Sequence, residues 1–291
     1  MHHDEVDVDE ALARRLIDAQ FPGYADAPLR IVEPWGTDHA IWRLGDDHVV
    51  RFPRIGWAAG QPELEARWLP WLSGRLPVEV PTPVGLGSPA FGYPFRWGVH
   101  RWLDGHPATP DGVDDAVAFA RSLVEVVHTL RELPVDDAPP AHNRARPSAA
   151  RDRSARAAIE SAREFVDVGA ALTVWDAALA AAPHVGPPAW VHGDLDGNCL
   201  LRDGRLTGLL DWGSACAGDP AVDIATMWSP LFTAESRAVF VDALEVDNAT
   251  LARSRGVALE QACAALPYYL HSYPGIVARA RHQLGELGVA H

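Results

Sequence analysis

Two carboxylates, Asp194 and Asp211, stand seventeen positions apart, each shortly after a short apolar run. Turn residues separate the runs, with Asp203-Gly204 between them, and turn dipeptides between apolar segments predict a hairpin. Such a hairpin would hold both carboxylates where one ligand can reach them. The chemistry that uses this arrangement is phosphoryl transfer, in which one carboxylate orients the attacking hydroxyl and the other holds Mg²⁺ against nucleotide phosphates.

The motifs around these carboxylates resemble the aminoglycoside phosphotransferase family of kinase-like enzymes. The resemblance rests on three motifs in order: His192-Gly193-Asp194-Leu195, Asp211-Trp212-Gly213, and Gly218-Asp219-Pro220 with Asp223 shortly after. It implies Mg²⁺-dependent transfer of the γ-phosphate of ATP or GTP to a hydroxyl of a small molecule, an aminoglycoside or other antibiotic among the candidates. The plainer alternative is that these are ordinary turn residues, because Asp, Gly and Asn are the usual turn formers.

The same resemblance implies an α+β, bilobal, protein-kinase-like fold. A small N-terminal lobe with an antiparallel sheet would bind the nucleotide, and a larger, mostly helical C-terminal lobe would carry catalysis and the acceptor. The turn that begins at Asp104 marks the boundary, so the predicted domains are 1–103 and 104–291. A chain of 291 residues is long for one core and suits two lobes.

Within the catalytic motif, the resemblance makes Asp194 the catalytic carboxylate and Asp211 a Mg²⁺ ligand, with His192 and Asp223 as structural support. The family carries a metal-binding Asn five residues after the catalytic Asp, and that position is Cys199 here, with Asn198 one residue earlier. A thiol is a poor Mg²⁺ ligand, so Asn198 is the predicted second ligand. The departure keeps a second hypothesis open, a nucleotide-binding pseudoenzyme with little or no kinase activity. A zinc hydrolase using His192 ranks lower, since no second His stands at ligand spacing nearby.

The nucleotide phosphates need a positive partner, and the chain contains no Lys; all 25 basic residues are Arg. By resemblance Arg51 takes the place of the strand Lys, supported by Glu65 on the following helix. Arg suits this role because it is always charged and presents a planar fork of donors. The alternative for Glu65 is a solvated helix face.

Two further segments are matched to the nucleotide by resemblance. Backbone amides of the loop that includes Gly36 and Thr37 would approach the phosphates, although a simple hairpin turn fits the same residues. The segment with His100 and Trp102 would offer backbone groups to the base at the hinge, although a core strand would have the same sequence character.

Bulk properties restrict the remaining possibilities. No apolar run reaches the eighteen or more residues of a membrane span, and the acidic N-terminus lacks a signal-peptide core. The three cysteines form no metal pattern, which favours free thiols in a reducing cytoplasm. The net charge of −14 argues against nucleic acid, and is compatible with plain solubility or with a cationic substrate, for which Asp242, Glu245 and Asp247 are candidate contacts. We expect a monomer or weak dimer.

Periodicity and turn signals place the predicted elements. Helices are predicted over 9–20, 61–74, 113–133, 148–166, 170–182, 221–228, 234–246, 249–264 and 266–286, and strands over 31–32, 40–44, 48–52, 95–103, 199–201 and 206–210. The stretch 134–147, rich in Pro and charge, is predicted to be a loop.

Overall fold

An antiparallel sheet of five strands organises the N-terminal part of the computed structural model, which describes residues 5–33 and 37–291. The strands run in the order β1-β2-β3-β5-β4. They are β1 (Leu29–Ile31), β2 (His39–Leu44), β3 (His48–Pro53), β4 (Pro83–Gly87) and β5 (Trp97–Arg101). The predicted hairpin of β2 and β3 is present, and its turn contains Gly45 at a φ of 61°, a backbone conformation that glycine adopts without steric cost.

Two helices accompany this sheet, α1 (Glu10–Gln20) and α2 (Gln61–Leu72). Helix α1 begins after Asp9, whose carboxylate accepts a hydrogen bond from the backbone N–H of Leu12 at 2.7 Å, a standard N-cap. The apolar face of α1 is buried in one core with the sheet residues Phe52 and Trp97. The core of this part therefore combines a helix stripe with one face of the sheet.

The chain divides into two compact units. The N-terminal unit contains the residues up to Asp104 together with Gly208–Gly213, and the C-terminal unit contains Gly105–Thr207 and Ser214–His291. The late segment is tied into the N-terminal unit by the backbone N–H of Leu209, which donates to the carbonyl of Glu79 at 3.0 Å. The assignment of nucleotide binding and acceptor binding to the predicted domains stays a prediction.

Helices dominate the C-terminal unit, as predicted. They are α3 (Ala116–Glu132), α4 (Ser148–Ser161), α5 (Val168–Ala180), α6 (Ala221–Ile224), α7 (Ala234–Ala243), α8 (Asn248–Tyr269) and α9 (Pro274–Glu286). Short strands complete the set: β6 (His106–Pro107), β7 (Ala189–Val191), β8 (Cys199–Arg202), β9 (Arg205–Leu209) and β10 (Cys216–Gly218). Helix α8 packs against α4, α5, α6 and α9, and β7 pairs with β10 while β6, β8 and β9 form a second small sheet.

Several predicted boundaries are wrong. The break expected near residue 265 is absent, because α8 continues through Pro267 and ends at Tyr269; Pro267 has no N–H, so the helix forgoes one hydrogen bond there. The helix predicted over 148–166 ends at Ser161. In the described part of the chain, no helix combines the length and the apolar character needed to cross a bilayer.

Candidate active site

The guanidinium of Arg51 lies between two carboxylates of the N-terminal unit. Its Nη1 donates to Oε1 of Glu65 at 2.5 Å, and its Nη2 donates to Oδ1 of Asp211 at 3.0 Å. Burial acts to lower the pKa of Arg51, but the two carboxylates outweigh it and raise that pKa above its ordinary value. The predicted contact between Arg51 and Glu65 is thus present, and the guanidinium remains charged.

Helix α2 brings Glu65 to this position because the residue belongs to the buried side of the helix. Its buried neighbours Pro62, Leu69 and Leu72 follow helical spacing, and the Glu65 side chain is only 2% exposed. A buried carboxylate needs a partner, and Arg51 on β3 supplies it. The alternative of a solvated face for Glu65 is therefore wrong.

Two neutral histidines flank Arg51. His39 on β2 and His100 on β5 lie on the strands that neighbour β3. Burial, with the positive charge of Arg51 as a further cause, lowers the pKa of each imidazole to about 3. The His100 ring lies 3.5 Å from the Glu65 carboxylate, between Nε2 and Oε2. Sequence reasoning missed His39, although its position on a half-buried strand was the available signal.

The backbone at Asp211 adopts the left-handed region, with a φ of 56°. For a residue with a Cβ this costs about 1 kcal/mol, and such conformations cluster at functional sites. The Glu65 carboxylate also hydrogen bonds to the backbone of Trp212, which helps to hold the strained turn. The Asp211 side chain is 38% exposed, and Arg51 holds its Oδ1.

The other predicted nucleotide contacts have mixed outcomes. Gly36 lies outside the described residues. Thr37 donates its hydroxyl to Oδ1 of Asp38 at 3.2 Å. The backbone N–H of Trp102 donates to the carbonyl of Asp47 at 2.8 Å, so it is not available as a donor to a base. A base contact through Trp102 would have to use its carbonyl oxygen.

The loop that carries Asp194 is fixed by a buried carboxylate. Asp223, which is 2% exposed, accepts the backbone N–H of His192 at 2.9 Å and that of Gly193 at 2.8 Å. Burial raises the pKa of the Asp223 carboxyl, while His192 and the two backbone bonds oppose that rise. The predicted contact of Asp223 with the backbone of the loop is present.

The two residues that precede Asp194, His192 and Gly193, determine the conformation of the loop backbone there. Gly193 has a φ of 82°, and a Cβ there would lie 2.7 Å from the carbonyl oxygen of Ser214, so only glycine fits. The ring of His192 is fully buried, and its Nδ1 accepts the backbone N–H of Asp194 at 3.2 Å. His192 therefore supports the loop. Within the described residues, no cluster of three or more His, Cys, Asp or Glu forms a metal site.

Asn198 and Cys199 differ in burial. Cys199 opens β8 and is buried, with its thiol donating toward the carbonyl of Leu195 at 3.5 Å, and burial raises the pKa of that thiol. Asn198 is partly exposed, and its Nδ2 donates to the carbonyl of Asp194 at 2.7 Å. With its nitrogen so engaged, Asn198 keeps its amide oxygen for a further ligand.

The Asp194 carboxylate has two partners that sequence reasoning missed. Arg144 places Nη2 2.9 Å from Oδ1 and also donates to the Gly193 carbonyl at 3.3 Å. Gln261 of α8 donates its Nε2 to the same Oδ1 at 3.1 Å. No described residue donates a hydrogen bond to Oδ2 of Asp194.

Asp196, like Asp194, is contacted by one arginine and one glutamine. Gln283 of α9 donates to Oδ2 of Asp196 at 2.9 Å, and Arg279 donates Nη1 to its backbone carbonyl at 2.9 Å. Burial raises the pKa of the Asp196 carboxyl to about 6, with Arg279 opposing that rise. Helices α8 and α9 thus present Arg and Gln side chains to the loop.

The three acidic residues that were candidate contacts for a cationic substrate, Asp242, Glu245 and Asp247, lie away from Asp194. Asp247 caps the start of α8 by accepting the backbone N–H of Thr250 at 2.6 Å. At 1.5 Å per residue, this end of the helix lies about 20 Å from Gln261. Asp242 and Glu245 precede the same end and are exposed. These three carboxylates do not belong to the surroundings of Asp194.

The fold and these residues define a kinase-like phosphotransferase of small molecules. The chain belongs to the phosphotransferase enzyme family known as APH, whose model matches residues 32–257. A comparison with curated proteins returned no match.

Solved structures of related fold extend over nearly the whole chain. An APH(2") enzyme in complex with GDP and kanamycin aligns with a TM-score of 0.73 and 20% identity, covering 95% of this chain and 98% of that one. Macrolide 2'-phosphotransferase type I gives a TM-score of 0.65 and 23% identity over 96% and 98%. A streptomycin-ATP-APH(2")-IIa ternary complex gives 0.62 and 17% over 88% and 90%. At these identities the likeness establishes the fold alone.

Proposed function

We propose that this protein is a Mg²⁺-dependent O-phosphotransferase that moves the γ-phosphate of ATP or GTP to a hydroxyl of a small molecule. The observation that carries the proposal is the state of Asp194. Its backbone is held through the Asp223 contacts, one carboxylate oxygen is held by Arg144 and Gln261, and the other accepts no hydrogen bond from the described residues. That geometry suits a group that orients and deprotonates an attacking hydroxyl.

The charged residues of the N-terminal unit suit the nucleotide. Arg51 remains charged between Glu65 and Asp211, and its fork can neutralise phosphate oxygens. Neutral His39 and His100 add no competing charge to this face. Asp194 and Asp211 belong to different units, and their approach to one ligand is part of the proposal.

The donor set fits magnesium. Asp211 would hold the ion through its exposed carboxylate and Asn198 through its amide oxygen, and both are the hard oxygen ligands that Mg²⁺ prefers. When bound, the ion neutralises charge on the phosphates. The buried Cys199 thiol does not compete for it.

The solved structures of similar fold suggest which acceptors and nucleotides to test first. Their names include kanamycin, streptomycin, macrolide, GDP and ATP, so aminoglycosides and macrolides are the first acceptors to test with both nucleotides. We also propose a cytoplasmic protein, monomeric or weakly dimeric, since its three cysteines are free and buried, as expected in a reducing compartment.

The test is a panel of hydroxylated acceptors with labelled ATP and GTP, run on the wild type and on Asp194→Asn. Loss of a catalytic base costs about 10²- to 10⁴-fold in rate, while the Asn side chain keeps the shape and the contact with Arg144. We expect kcat to fall by about a thousandfold with the thermal midpoint nearly unchanged. Wild-type turnover by Asp194→Asn would exclude the role of Asp194. Nucleotide binding without transfer to any acceptor would favour the pseudoenzyme.

A further inference from the structure

Positive charge, rather than negative, faces the carboxylates of the catalytic loop. The side chains in contact with Asp194 are Arg144 and Gln261, and those in contact with Asp196 are Arg279 and Gln283. Each carboxylate therefore already has a guanidinium partner from the protein. A substrate ammonium that approached Asp194 would have to displace Arg144 or lie beside it.

The helices that bear these residues have no spare negative charge. In the sequence, α8 contains one acidic residue, Glu260, and α9 contains one, Glu286. Glu260 forms a short ion pair with the buried Arg151 of α4, and Glu286 pairs with Arg237 at 2.5 Å. Neither carboxylate is available to compensate an incoming cation.

Arg144 is held where it can act on the acceptor. It follows Asn143, which begins a short 3₁₀ helix with a left-handed φ of 45°, and it donates to both the Asp194 carboxylate and the Gly193 carbonyl. Its side chain is 29% exposed, so its charge is only partly screened by water. The guanidinium therefore neutralises the Asp194 carboxylate, the charge that would otherwise attract a substrate ammonium.

From this arrangement we infer that Arg144 selects against an ammonium group next to the phosphorylated hydroxyl, so that an acceptor is favoured when the position beside that hydroxyl is uncharged or anionic. The inference rests on the proposed function, because it assumes that the acceptor hydroxyl is delivered to Asp194. The overall charge of −14 does not oppose it, since the selection is made by the residues in contact with Asp194.

The test compares two probes that share one ring frame and the same hydroxyls, kanamycin and fully N-acetylated kanamycin. Binding of each is measured by calorimetry, and phosphate transfer is measured separately with labelled ATP and GTP. The proteins are the wild type, Arg144→Met, Arg144→Lys and Arg146→Met. Arg146 is exposed on the same loop, so its substitution makes the same change of charge away from Asp194.

We expect the affinity ratio of acetylated to free kanamycin to fall at least about tenfold in Arg144→Met, because the uncompensated Asp194 carboxylate would then attract an ammonium a few ångströms away where water is partly excluded. Arg144→Lys should keep the wild-type ratio, and so should Arg146→Met. High salt should reduce the ratio in the wild type but not in Arg144→Met. Since the added acetyl groups are the same for every variant, their bulk cancels in the comparison.

The outcomes separate the two proposals. A ratio that Arg144→Met leaves unchanged, a wild-type preference for free kanamycin, or equal values for both probes, including no binding of either, would overturn the role of Arg144. A ratio that shifts as expected without phosphate transfer to any acceptor would uphold the selection and refute the proposed enzyme activity.

Discussion

Changing Asp196 to Asn should alter how stability depends on pH. Burial raises the pKa of the Asp196 carboxyl from its ordinary 3.8 to about 6, so the folded protein binds its proton more tightly than the unfolded chain. Below about pH 4 both states are protonated and the group has no net effect. As the pH rises from there through 6, the unfolded chain ionises first and stability is lost.

The size of this loss follows from the pKa values. Each pKa unit corresponds to about 1.4 kcal/mol. The difference in proton binding at Asp196 between the folded and unfolded states therefore lowers the free energy of unfolding by about 3 kcal/mol at pH 8 and by about 1.6 kcal/mol at pH 5. Asn resembles the neutral acid and does not titrate. The stability of Asp196→Asn relative to the wild type should therefore increase by about 1.4 kcal/mol between pH 5 and pH 8.

Urea unfolding at several pH values measures this difference directly. Lost or altered contacts with Gln283 and Arg279 would shift both ends of the curve equally, so the change with pH is the relevant quantity. Asp203→Asn, at an exposed turn, makes the same chemical change outside the loop and serves as the matched variant. If the Asp196→Asn difference is flat, or if it falls as pH rises, then Arg279 outweighs burial and the reasoning is refuted.

Two further perturbations test the loop around the catalytic carboxylate. Gly193→Ala should lower the free energy of unfolding by at least about 1 kcal/mol more than Gly288→Ala, as measured by urea midpoints, since both have positive φ but only Gly193 lacks space for a Cβ, against Ser214. Equal losses would mean that the clash relaxes. Asn198→Ala should raise the Mg²⁺ concentration for half-maximal phosphate transfer about tenfold, whereas Cys199→Ser should not. The opposite ranking in a Mg²⁺ titration would assign the ligand to Cys199.

Local patterns were enough to predict the strands and helices nearest the candidate site. Alternating apolar residues and a glycine turn define β2 and β3, and helical spacing with flanking Gly and Pro defines α2. The partnership of Arg51 with Glu65 came from family resemblance, yet the sequence held a second signal, since Glu65 stands at a position of the apolar stripe of α2. An acidic residue on a buried helix face needs a cation nearby.

Long-range contacts were the part that sequence could not supply. Arg144 lies in a stretch read as a plain loop, and its contact with Asp194 joins residues fifty positions apart without any motif. Gln261 lies on a helix whose other polar residues face different surroundings. The break expected near residue 265 was wrong as well, because α8 runs on through Pro267 to Tyr269.

The order of synthesis on the ribosome has a consequence for Gly208–Gly213. The unit that begins the chain recruits this segment from far downstream, and Asp211 supplies one of the two carboxylates that neutralise Arg51. A nascent chain that has emerged only as far as Asp104 therefore lacks part of its own first unit. All five strands of its sheet precede residue 104, but Arg51 lacks the Asp211 carboxylate until translation has passed residue 213. A chain terminated before that point therefore keeps a buried guanidinium with one of its two partners missing.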